Sequence, residues 1–143
     1  MSKTNKNFGR WLGGVIVIAA AALLMFIIMT VLFDVVGLID MKRKQYESLM
    51  GFSFIPYLVT LVIYSIWFWR GATSKGYLAD SEYNGGRTGI IVASSVISVV
   101  IDIAASMIVK FRTLEAMIVS LVILILFHLI AAIGSASLFG YRK

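Results

Sequence analysis

The chain has no cysteine, one proline, one histidine and only seven acidic residues among 143. Without cysteine there are no disulfides, no thiolate metal sites and no cysteine nucleophile. A single histidine excludes bis-histidine haem ligation within one chain, and no ligand types cluster at zinc spacing. No metal or cofactor is expected. Charge is scarce as well, since Asp, Glu, Lys and Arg supply 14% of the residues where an average soluble domain carries about 25%. So few charges cannot cover a soluble chain of this length with polar surface.

Apolar residues take their place. Hydrophobic types make up 60% of the chain, and the mean hydropathy is +0.95. Four runs are long enough to cross a bilayer core of about 30 Å, which takes roughly 20 helical residues. They cover residues 11–33, 48–69 (densest over 52–69), 88–109 and 116–139. Asp102 and His128 alone interrupt them with an ionisable acid or base. Runs such as Leu121-Val-Ile-Leu-Ile-Leu-Phe127 do not alternate, so the spans are helices and not barrel strands. Lys3, Lys6 and Arg10 precede the first run as in a signal peptide, but Leu23 to Met29 extends it past Ala19–Ala22, beyond the 7–15 residues of a cleavable apolar region. The expected fold is an all-α membrane protein, a four-transmembrane-helix bundle forming one domain over residues 1–143 with little soluble mass.

The net charge of +6 sits at the ends of the apolar runs, where it reads as headgroup anchoring and topology and not as nucleic-acid binding. Lys3, Lys6, Arg10, Arg70, Lys75, Arg87, Arg142 and Lys143 fall on one side, and Lys42, Arg43, Lys44, Lys110 and Arg112 on the other. The positive-inside rule then places both termini in the cytoplasm. Trp11, Trp67, Trp69 and Tyr141 lie at that same interface. A bacterial inner or plasma membrane is the expected location. Pro56 reads as near the start of the second helix, residues 34–50 as an extension of helix one or a short interfacial helix, and residues 71–86 as a flexible loop.

Asp102 is the most informative residue. An acid in mid-membrane costs at least ~2.5–3.5 kcal/mol and normally faces protein or water. Thr88, Ser95, Ser98, Asp102 and Ser106 recur at helical spacing and form a polar stripe on the third span. That stripe reads either as a proton- or cation-handling site or as a protonated acid and serines bonding neighbouring helices. His128 lies mid-way along the fourth span, in line with Ala132, Ala136 and Gly140. Counting from a hairpin midpoint near residue 112 leaves Asp102 and His128 offset by about 8 Å along the axis at 1.5 Å per residue. This predicts a Ser98–His128 contact, with Asp102 one to two turns nearer the loop. Thr30 and Asp34, four residues apart, form a secondary polar candidate.

Other motifs fail on their spacing. Asp80, Glu82, Asn84 and Gly85 open like a calcium loop, but its twelfth position is Ile91 where a bidentate Glu is needed. Gly71-Ala-Thr-Ser-Lys-Gly76 lacks the ending of a phosphate-cradling loop, and neither a nucleophile elbow nor a triad is present. An enzyme is therefore not expected. Arg10, Gly71-Ala-Thr73, Gly85-Gly-Arg87 and Asp102 resemble positions of the RDD family of small bacterial membrane proteins. That family's aspartate inside the first helix has no counterpart here, since the region reads Gly14-Val-Ile-Val-Ile18, and no residue role is carried over.

Two employments suit such a chain. One is a non-catalytic protein that binds another membrane component, as an accessory or assembly subunit or a protective, immunity-type protein. Gly13, Gly14, Ala19–Ala22, Ala131, Ala132, Gly134 and Ala136 suit close helix association within the chain or with a partner. The alternative is a small ion- or proton-coupled transporter or channel working as a homo-oligomer with Asp102 in its pathway. Polar stripes on more than one helix would favour conduction, and Tyr57, Thr60 and Tyr64 share roughly one face of the second span.

Overall fold

A computed structural model describes the backbone of residues 3–73 and 80–140, and the side chains of residues 7–71 and 86–140. Among these the structure is helical and contains no strand. Helix α1 runs over Lys3–Val31 and α2 over Arg43–Thr73, followed by α3 over Asp80–Ile108 and α4 over Leu114–Leu138. All four are long and apolar enough to cross a membrane.

The helices alternate in direction. α1 packs beside α2 and α4, α3 packs beside the same two, and α2 and α4 also touch across the diagonal, whereas α1 and α3 do not meet among the described residues. The inward face of α1 carries Gly14, Ile18, Ala21, Met25 and Met29. That of α4 carries Ala116, Ser120, Leu124, His128, Ala131, Ala132, Ser135 and Ala136. Spacings of three and four keep such residues on one side of a helix. Outward faces are as apolar as the core, with Leu23, Leu58, Val62, Val96, Val122 and Leu126 all exposed. Ser53, Thr60, Ser94, Ser98, Asp102, Ser120, His128 and Ser135 are buried instead.

Local chemistry sets the helix ends. Beyond Val31 the chain loosens into a π-helical turn, Leu32–Val36, and Gly37 stops it with φ 75°. That left-handed conformation costs glycine least. Thr113 caps α4 by accepting a hydrogen bond from the Ala116 N–H at 3.1 Å. Thr113→Ala should lower unfolding stability by about 1 kcal/mol, while Thr113→Ser keeps most of it, as read by denaturation in mixed micelles. At the other end of α4, the Arg10 guanidinium donates to the carbonyls of Leu138 and Gly140, and the Tyr64 hydroxyl donates to that of Phe139. These are carbonyls that a helix end cannot pair internally. Arg10, read from the sequence as a topological anchor, also ties the start of α1 to the end of α4.

Two boundaries differ from the sequence reading. α2 begins at Arg43 and not at 48 or 52, so Pro56 stands in the helix interior and is fully buried. α3 begins at Asp80, within the stretch read as loop. Hydropathy marks the residues that tolerate lipid, whereas a helix continues as long as its backbone bonds are made, so both elements outrun their apolar runs. The stretch 74–79, the side chains of Asp80, Glu82, Asn84 and Gly85, and Tyr141, Arg142 and Lys143 lie outside the described residues.

Candidate functional site

The polar residues of three helices converge at mid-bundle. α3 supplies Asp102, α4 supplies His128 and α2 supplies the backbone carbonyl of Ser53. Nδ1 of His128 lies 2.7 Å from Oδ2 of Asp102, and its Nε2 lies 2.9 Å from the Ser53 carbonyl oxygen. Their side chains are 0% and 1% exposed. The Tyr57 ring stands edge-on to the imidazole, with centroids 4.6 Å apart and planes at 62°.

This arrangement corrects the expected Ser98–His128 contact. Ser98 is buried, but its hydroxyl donates to the Ser94 carbonyl one turn back, at 2.7 Å, and the partner of His128 is Asp102. Asp102 precedes the end of α3 by six residues and His128 follows the start of α4 by fourteen, an offset of about 12 Å at 1.5 Å per residue if the ends were level. Two features close it. Side chains lean towards the N-terminus of their own helix, so in an antiparallel pair Asp102 leans away from the connection and His128 towards it. The connection itself, residues 109–113, can reach roughly 3.3–3.6 Å per residue, which lets α4 start beyond the end of α3. There Arg112 bonds Asp40 of the α1–α2 connection through its backbone N–H at 3.0 Å and its guanidinium at 3.2 Å.

The rest of the expected stripe divides. Thr88 is exposed, while Ser95 and Ser106 are only half-buried, Ser106 donating to its own helix at Ile103. Ser94 is buried in place of Ser95. The inward ladder on α3 is thus Ser94, Ser98, Asp102, with a four-residue step that matches the ladder on α4. Ser94 and Ser95 are both near the face of Asp102, and the directions of α2 and α4 decide between them. Ser53, Tyr57, Thr60 and Tyr64 form a third ladder on α2. Ser53 was missed, and since its backbone carbonyl is what bonds His128, no side-chain pattern points to it. Thr30 and Asp34 do not form one site: Thr30 pairs with the Tyr46 hydroxyl at 2.9 Å, and Asp34 turns outward to Arg43 at 2.6 Å.

The bonds limit where protons can sit. A carbonyl only accepts, so Nε2 of His128 must carry a proton. Either Asp102 is the neutral acid and donates to Nδ1, or Nδ1 is protonated too and donates to the carboxylate. The two forms differ by one proton moved along a 2.7 Å bond, and both leave the pair neutral overall. Oδ1 of Asp102 has no hydrogen-bond partner among the described residues. Among those residues no three His, Cys, Asp or Glu side chains cluster to hold a metal.

The chain matches no protein-family model, no curated protein and no solved structure. The RDD-like positions therefore carry no family assignment.

Proposed function

We propose that the chain is an integral membrane protein, with both termini cytoplasmic in a bacterial inner or plasma membrane, that acts without catalysis by binding another membrane component. One observation carries this reading. His128 bonds both Asp102 and the Ser53 carbonyl in a buried core, and the exposed side chains along the four apolar runs are mainly aliphatic. A surface of that kind recognises helices and lipid by shape. Between α1 and α2 it is indented by an outward-open cavity of about 250 Å³, lined by Ile18, Ala19 and Ala22 on one side and Phe54, Leu58 and Leu61 on the other. Such a recess suits the side chains of a partner helix. Most other small residues are used within the chain: a β-carbon at Gly134 would lie 2.9 Å from Val17, and one at Gly13 would lie 2.5 Å from Phe139.

Extraction in native lipid patches through a cytoplasmic tag, followed by intact mass analysis, tests the proposal. A stoichiometric second membrane protein is the expected result, whereas a clean homo-oligomer would overturn it. The latter outcome would favour the transport reading, which one observation supports: buried polar ladders run along α2, α3 and α4 and not along α3 alone. Flux assays on Asp102→Asn would then follow.

A further inference from the structure

We propose that Asp102, His128 and the Ser53 carbonyl form a proton-operated latch that holds α4 to α2. The pair makes both of its bonds only while it carries two protons, one on Nε2 and one shared between Nδ1 and Oδ2. Loss of one proton from the pair leaves a net charge of −1 and a single proton for two bonds. If that proton stays on Nε2, the bare Nδ1 faces the carboxylate at 2.7 Å. If it moves to Nδ1, the bare Nε2 faces the Ser53 carbonyl at 2.9 Å. Either way two acceptors are opposed in a buried site where water cannot screen them, and one interhelical bond becomes a repulsion.

The surroundings convert that change into movement. Ser53 lies in the α2 turn that ends at Pro56. A proline inside a helix removes the donor for the carbonyl four residues back and crowds it, so the turn ahead of it is where a helix bends. Tyr57, the next residue, packs against the imidazole and also lines the cavity between α1 and α2. Release of the latch therefore reaches the outer surface through Tyr57. No other titratable group confuses the switch. Between Arg10 and Asp34, α1 has none; α2 presents only Tyr57 to His128; α3 and α4 have no second ionisable residue in their apolar runs.

The sequence makes the test clean. His128 is the one histidine, so ¹⁵N-histidine labelling reports that ring alone, and with no native cysteine a label pair can be placed at will. Leu58→Cys on α2 and Leu126→Cys on α4, both at exposed positions, carry spin labels on the full chain in lipid nanodiscs. As pH rises, the expected result is a change in the His128 ring signals on loss of the proton shared between Nδ1 and Oδ2, with a shift in the α2–α4 distance at the same pH. In Asp102→Asn the amide N–H donates to Nδ1 in place of the acid proton. That variant should stay latched and lose the response. A His128 signal that titrates with no distance change, one that never titrates while the bundle is folded, or an Asp102→Asn chain with the wild-type response would each overturn the latch. The wild-type labels decide the matter even if Asp102→Asn does not fold.

Discussion

His128→Ala should be the most damaging single truncation in the bundle, lowering unfolding stability by about 3–5 kcal/mol. Individual hydrogen bonds between membrane helices are worth only about 0.6 kcal/mol on average, so the two bonds of the imidazole do not account for this by themselves. The remainder comes from the cavity beside Tyr57 and from the Asp102 carboxyl, which is left buried without its partner. Asp102→Asn keeps both bonds and should cost less than about 1 kcal/mol. Replacing both partners together, Asp102→Leu with His128→Leu, should recover much of the loss, because a buried pair exchanged for apolar groups of similar volume is often nearly neutral. Unfolding in mixed micelles measures all four chains. A double replacement that recovers nothing relative to His128→Ala would show that the two residues do not act as a unit.

Gly14→Ala should destabilise by about 2–4 kcal/mol, the sum of overpacking at ~1–3 and a lost hydrogen bond at ~1. The added methyl would overlap the phenol of Tyr64. That ring cannot simply step aside, since its hydroxyl donates to the Phe139 carbonyl at 2.7 Å and so joins α2 to the end of α4. Gly51→Ala is the matched control. A β-carbon there meets nothing within 4 Å, and glycine inside a helix costs about 0.8–1.0 kcal/mol relative to alanine, so this variant should gain stability. Thermal unfolding of the pair separates them by sign. A Gly14→Ala chain as stable as wild type would mean that the α1–α2–α4 contact is loose.

The four helices long and apolar enough to cross a membrane were legible because each holds an unbroken apolar run, and hydropathy counts that directly. Helix ends were less so. Arg43–Leu49 is too polar to register as a span yet is helical, and missing it turned Pro56 from an interior kink site into an apparent helix start. The candidate site was half legible. Asp102 and His128 stood out as rare ionisable groups in apolar runs, but a count along a symmetric hairpin set them one to two turns apart. The count followed backbone positions and left out the opposed lean of the two side chains.

Taken alone, the sequence determined that the chain builds four long apolar helices and holds an acid and a histidine among them, because composition and periodicity are properties of each segment by itself. Only the tertiary structure decided which serine faces inward, that Arg10 and Tyr64 close the end of α4, and that Asp102 meets His128 over the Ser53 carbonyl. Those outcomes depend on the stagger and rotation of one helix against another. Contacts such as Gly14 on Tyr64 and Gly134 on Val17 join different helices, and no single segment encodes them.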